Sequence, residues 1–349
     1  MKFGLFMEET WRGVSQTAAF QEKFRRVDAA EAWGLDGVWL GELHFNPTRS
    51  VLSAPLVMAG AIAARTRRLR VGTAVQVLPL GNPLRIAEEV ATVDHISEGR
   101  FDFGVGRSGA VYVSDVLGVP YAESQARFGE ALDIIRQAWK GEPFSYKGQF
   151  HRFEKAVVSP RPYQQPHPPI RMAATSEETF VQVGRLGLDL FVGLRTMDIP
   201  ELRTHLATYR KTWRDAGHPG APSVHLRIPI YAAPTEQAAV EEPRESMMYF
   251  FGRQAELARA AVGRAGAGPA DRRQAQADQL STLTYEQALK TRVAFGTAPR
   301  LVDRLKELRE LLDVDGIVAE LNPGGMIPAE REMRSLHILT HEVMPAFRS

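Results

Sequence analysis

Short apolar, β-rich runs alternate with amphipathic helical stretches from one end of this chain to the other. That alternation constrains the fold more than any other feature, because strands separated by helices lie parallel, with the helices covering the sheet. The runs Lys2–Met7, Gly37–Gly41, Arg70–Leu78, Phe101–Gly106, Ile170–Ala174, Leu188–Gly193, Val224–Ala232 and Gly316–Leu321 are predicted strands. Helices are predicted over Thr17–Trp33, Pro55–Ala64, Pro83–Ile96, Glu123–Lys140, Glu177–Leu186, Ile199–Ala216, Thr235–Val262 and Ala298–Leu312, with Ala329–Met344 closing the chain. Pro55, Pro83 and Pro200 fall near helix starts, where proline is tolerated. Eight strands predict an α/β fold, a closed (β/α)8 TIM barrel with inserted loops, as one domain over residues 1–349. The rival, a doubly wound open sheet, lacks its phosphate fingerprint: no G-x-G-x-x-G follows the first strand.

Composition narrows the chemistry. At 44% apolar and 24% charged residues the chain carries enough material for a large core. It contains no cysteine, which excludes disulfides, thiolate nucleophiles and cysteine-bound metal centres. No H-E-x-x-H or comparable histidine cluster appears, so no metal is expected. A net charge of +2 from 43 basic and 41 acidic residues carries no electrostatic footprint for nucleic acid or an anionic membrane. The one dense basic run, Arg65, Arg67, Arg68 and Arg70, lies between a helix and a strand, where cations complement a helix C-terminus. No apolar run is long enough to span a bilayer, and the opening residues, with Glu8 and Glu9 close behind, do not resemble a secretory signal. The expected location is cytoplasmic.

Two insertions interrupt the repeat. Residues 143–169, centred on Tyr146-Lys147-Gly148-Gln149-Phe150, predict a β-hairpin and an extended proline-rich connection. Residues 261–289, with Gly263, Gly266, Gly268-Pro269 and Asp271-Arg272-Arg273, predict a mobile loop, either a plain surface excursion or a lid.

In a barrel of this kind the chemistry sits at the C-terminal ends of the strands. Polar residues gather there: Glu42 and His44 after the second strand, Gly104, Gly106, Arg107 and Ser108 after the fourth, Thr175, Ser176 and Thr179 after the fifth, and Asn322, Gly324 and Gly325 after the eighth. The run Gly104-Val105-Gly106-Arg107-Ser108-Gly109 allows a ligand close to the backbone, with a guanidinium able to grip phosphate. Ser176 stands where it either caps the next helix or joins an anion site there. His44 and Glu42, two apart, share a face if the strand continues. They read either as a proton-transfer pair or as a buried polar pair with satisfied hydrogen bonds.

At these positions the sequence resembles the bacterial luciferase family of flavin-dependent monooxygenases. The likeness runs from Met1-Lys2-Phe3-Gly4-Leu5-Phe6 through Gly37-Val38-Trp39-Leu40-Gly41-Glu42-Leu43-His44-Phe45, Val71-Gly72-Thr73-Ala74, Ser97-Glu98-Gly99-Arg100-Phe101 and Phe103-Gly104-Val105-Gly106-Arg107 to Phe295-Gly296-Thr297 and Val343-Met344-Pro345. The resemblance implies an enzyme that takes reduced FMN from a separate flavin reductase and uses O2, through a peroxyflavin, to oxygenate a small-molecule substrate. It also implies a homodimer through the helices Pro55–Ala64 and Pro83–Ile96. Arg107, Ser176 and Thr179 match residues that hold the flavin phosphate, and Ala74-Val75 matches a cis-linked pair beside the flavin ring. Phe6, Trp39, Phe45, Val75 and Leu194 are expected to supply apolar walls.

The chain departs from the light-emitting subunit in three places. Leu43 replaces the first of two adjacent histidines, which argues against aldehyde-dependent light emission because leucine cannot transfer a proton. Gly106 replaces a reactive cysteine, and Thr175 an acidic residue beside the phosphate. Two other readings remain: a deazaflavin-dependent oxidoreductase of the same superfamily, and a non-catalytic flavin-binding partner subunit.

Overall fold

The computed structural model describes residues 1–8, 13–107, 110–195 and 197–348; Glu9, Ser108 and Gly109 lie outside the described residues. The eight barrel strands are β1 (Lys2–Met7), β2 (Gly37–Leu40), β3 (Arg70–Thr73), β4 (Phe101–Gly106), β5 (Ile170–Ala173), β6 (Asp189–Gly193), β7 (Val224–Ala232) and β8 (Gly316–Glu320). All pair in parallel, in chain order, and β8 closes the ring by pairing with β1, Lys2 opposite Gly316. The strands coincide with the predicted runs to within a residue at most ends. The exception is β3, which stops at Thr73 and resumes as a short strand, Gln76–Val77, after a cis peptide between Ala74 and Val75.

Burial explains why these runs were conspicuous. Strands β2, β4 and β8 are buried at every position, since helices cover one side and the barrel interior the other. The helices carry local start signals: Pro55 and Pro83 at first-turn positions, Asn82 accepting the N–H groups of Leu84 and Arg85, and Asp198 accepting that of Glu201. The basic run before β3 is used internally. Arg65 pairs with Asp28, Arg70 with Asp102, and Arg68 donates to the carbonyls of Glu31 and Leu35.

Both insertions take definite form. Strands Phe144–Lys147 and Arg152–Ala156 make an antiparallel hairpin whose tip is tied down by Glu130, which accepts the N–H groups of Gln149, Phe150 and His151. The predicted helix over Thr235–Val262 is two helices, Glu236–Glu241 and Arg244–Ala260, separated at Pro243, which has no N–H to continue the ladder. Where a loop was expected over 261–289, helices occupy Ala270–Ser281 and Tyr285–Thr291. Ala277, Leu280, Tyr285 and Ala288 are buried, so tertiary packing compensates for a polar sequence. No helix among the described residues is long and apolar enough to cross a membrane.

Candidate active site

Alternate residues of each strand point into the barrel. Trp39 of β2 fills the axis, its ring 4.7 Å from Phe191 and 5.7 Å from His225. A Cβ on Gly4 or Gly72, on the strands either side, would meet the indole at 2.6 or 2.1 Å, so glycine is required there by packing. Burial and the neighbouring Arg171 push the His225 imidazole well below its usual range.

Above this floor, Phe6 and Val318 pack on Trp39 and Phe191, and one step further out stand Glu8, Arg227 and Glu320. Arg227 donates to Glu320 from Nε at 2.9 Å and Nη2 at 2.6 Å, lies 3.5 Å from Glu8, and stacks its guanidinium 3.4 Å over the Phe6 ring. The second oxygen of Glu8 takes Arg49 at 3.1 Å. Burial alone would raise the Glu8 carboxyl, yet Arg49, Arg227, Arg195 and Lys23 around it hold it below the ordinary value.

Two adjoining cavities open above these groups and share Ala74, Val75, Arg195 and Arg227 as wall. The first, with about 750 Å³ of atom-free space, is walled by Phe6, Phe191, Phe250 and Phe251 and carries Glu320 and Arg292 at its edge. The second, about 840 Å³, is more polar, with Glu8, Glu42, Arg49 and Gln254. The insertion between β7 and β8 covers both cavities. Helix Arg244–Ala260 contributes Phe250, Phe251 and Gln254, and helix Ala270–Ser281 contributes Arg273 and Gln276.

The anticipated site residues divide between these cavities and the rim. Ala74 and Val75 line both, Thr175 the first, and Glu42 with Leu43 the second. His44 hangs from Glu42, Nε2 at 2.7 Å from Oε1, while the other Glu42 oxygen accepts the Val77 N–H at 2.8 Å. Gly104 and Gly106 have a structural reason different from ligand approach: an added Cβ would lie 1.8 Å from the Thr73 carbonyl oxygen and 2.5 Å from Val75 Cγ2, respectively. Arg107 leaves β4 beside the end of β5, where Val105 is opposite Met172, so it shares a rim with Ser176 and Thr179. The Ser176 side chain accepts no capping N–H; its hydroxyl lies 2.9 Å from that of Thr179. His44, Arg107, Ser176 and Thr179 are not among the walls of these two cavities. Of the anticipated apolar walls, Phe6 and Val75 face the first cavity, Trp39 lies beneath it, Leu194 belongs to the main core, and Phe45 is 52% exposed.

The sequence profile of the luciferase-like monooxygenases matches residues 1–314. The chain belongs to that family. This luciferase-like monooxygenase is 28% identical over 360 aligned residues to the oxygenase component of flavin-dependent trigonelline monooxygenase from Acinetobacter baylyi, covering 99% of this chain and 96% of that one. It is 34% identical over 206 residues to the uncharacterized protein y4vJ of Sinorhizobium fredii, spanning 57% of this chain and 58% of that protein. Among solved structures, monooxygenase RslO1 from Streptomyces bottropensis superposes with a TM-score of 0.81 at 26% identity, covering 99% of this chain and all of that one. The oxygenating constituent of 3,6-diketocamphane monooxygenase from Pseudomonas putida, in complex with FMN, shares the fold at a TM-score of 0.82 and 20% identity, covering 99% and 98%.

Sequence reasoning missed the charges gathered at the barrel mouth of this luciferase-like monooxygenase: Glu8, Arg49, Arg195, Arg227 and Glu320. A signal existed for two of them, since Arg227 and Glu320 are single charges inside otherwise apolar strands. It also missed Phe250 and Phe251, which read as ordinary helix residues until the insertion folds over the mouth.

Proposed function

We propose that the chain is the oxygenase component of a two-component, FMN-dependent monooxygenase, receiving reduced FMN from a separate reductase and using O2 to oxygenate a small organic molecule. The observation that carries this reading is the covered, apolar cavity at the C-terminal mouth of the barrel, adjoining a rim that offers phosphate donors. The donor chemistry fits FMN: a guanidinium at Arg107 and paired hydroxyls at Ser176 and Thr179 suit a phosphate, and Ala74, Val75 and Phe6 suit a ring. Reduced FMN, when bound, supplies the electrons that activate oxygen. Phe250 and Phe251 exclude water from that space. Glu42, anchored by the Val77 amide, accepts from His44 Nε2 and leaves Nδ1 to give or take a proton.

Anaerobic titration tests the assignment. Reduced FMN is expected to bind in preference to reduced deazaflavin, and Arg107→Ala to weaken it at least about tenfold, the loss of one charged hydrogen-bonding partner. Selective binding of the deazaflavin, or an unchanged affinity in Arg107→Ala, removes the reading. The same reading includes a homodimer through helices Pro55–Arg65 and Pro83–Ile96, from which Val57 and Ile96 project at 76% and 44% exposure. Sedimentation velocity showing only monomer would exclude it.

A further inference from the structure

The charges at the barrel mouth do not all cancel. Glu320 gives both oxygens to Arg227, and Glu8 is shared between Arg49 and Arg227. Arg273, on the wall of the second cavity, donates to the Ala267 carbonyl and to Gln276. Arg195 is different. It leaves the end of β6, lines both cavities, and makes no hydrogen bond or ion pair among the described residues. Burial and the like charge of Arg227 push its guanidinium down to about 10, so it remains a cation at neutral pH. A half-buried cation without a partner is costly unless something else completes it.

The main chain on either side of Arg195 is tied down. Arg292 Nη1 donates to the carbonyls of Leu194 at 2.9 Å and Met197 at 3.0 Å, on either side of it. A second donor faces the same space: Nε2 of Gln254, buried and without a hydrogen-bond partner, on the wall of the second cavity. One unmatched guanidinium and one unmatched amide suit an anion with two oxygens, and Arg292, on the wall of the first cavity with its Nε also without a partner, adds positive potential there. The proposed phosphate donors stand elsewhere, at the ends of β4 and β5, whereas Arg195 stands at the end of β6 on a wall with Phe191, Phe250 and Phe251.

Resting on the proposed reading of this cavity as the oxygenation site, we propose that Arg195 recognises a carboxylate on the substrate, whose apolar, ring-sized body lies against Phe191, Phe250 and Phe251. The chain thereby selects carboxylic acids over their neutral counterparts.

Calorimetry on the full chain, with and without reduced FMN under anaerobic conditions, tests this with matched acid and amide pairs: benzoate and benzamide, phenylacetate and phenylacetamide, cyclohexanecarboxylate and its amide. In at least one pair the acid is expected to bind roughly 10- to 100-fold more tightly, the range of a charge-assisted hydrogen bond. Arg195→Met erases that preference, Arg195→Lys keeps part of it, and the affinity for reduced FMN stays within about twofold in both. The absence of acid preference in every pair overturns the proposal, as does a preference that survives Arg195→Met. A loss of reduced-FMN affinity in Arg195→Met also overturns it, assigning the guanidinium to the flavin. An Arg195-dependent acid preference in a protein that binds no reduced FMN sustains the subsite and removes the flavin reading instead.

Discussion

Arg227 of β7 holds both carboxylate oxygens of Glu320 on the adjacent strand β8, at 2.9 and 2.6 Å. The Glu320 side chain is only 5% exposed and that of Arg227 21%, so removing Glu320 leaves a largely buried cation with only the longer contact to Glu8. Glu320→Ala is expected to lower unfolding free energy by about 1.5–3 kcal/mol, the range for a hydrogen bond between charged groups. Arg227→Met combined with Glu320→Leu is expected to lose less than Glu320→Ala alone. Urea unfolding of the three variants decides; a double variant less stable than the single would refute the coupling.

Glu8 makes stability depend on acid. Its carboxyl is held below the ordinary 4.5 when folded, so the folded state binds this proton less readily than the unfolded chain. The stabilisation from Glu8 is complete above about pH 4.5 and is lost as pH falls through the lower folded value. The stability advantage of the wild-type chain over Glu8→Gln is therefore expected to be full at neutral pH and to shrink below about pH 4.5. Denaturation curves giving a constant difference from neutral to pH 3 would contradict this.

His44 is held by Glu42 and Glu42 by the Val77 amide, an arrangement that fixes one ring nitrogen and leaves the other available. His44→Ala is expected to slow oxygen-dependent reoxidation of bound flavin by on the order of 10², within the range of general acid–base catalysis. Glu42→Gln, which carries no charge and can accept at only one of those two positions, should cost less than His44→Ala. Stopped-flow absorbance measures both, and an unchanged rate in His44→Ala would make the pair structural.

At Gly104 a Cβ would press on a backbone oxygen, and at Gly106 on a side chain. Gly104→Ala is expected to cost about 3 kcal/mol or more, because the Thr73 carbonyl belongs to a barrel strand and cannot withdraw. Gly106→Ala should cost about 1–3 kcal/mol and be relieved by Val75→Ala. Thermal melts of the single and double variants check this. Additive losses at 106 and 75 would show that the two side chains do not compete for one space.

The eight strands and most of the helices were legible in the amino-acid order because their signals are local. A strand buried on both faces is an unbroken apolar run, and a helix against a barrel repeats its apolar residues every three to four positions. The pair Glu42 and His44 was legible for the same reason, since they stand two positions apart just past the end of β2. What only the tertiary structure decided were contacts between distant positions. Residues 261–289 read as loop because Ala277 and Leu280 become a helix face only once they have a surface to bury against. The partnership of Arg227 with Glu320 and Glu8 joins positions 93 and 219 residues apart, and the glycines at 104 and 106 answer to atoms on β3 and just beyond it. Ring closure sets which side chains meet inside a barrel, and no window of sequence contains that closure, so the lack of a hydrogen-bonding partner for Arg195 among the described residues belongs to the tertiary structure alone.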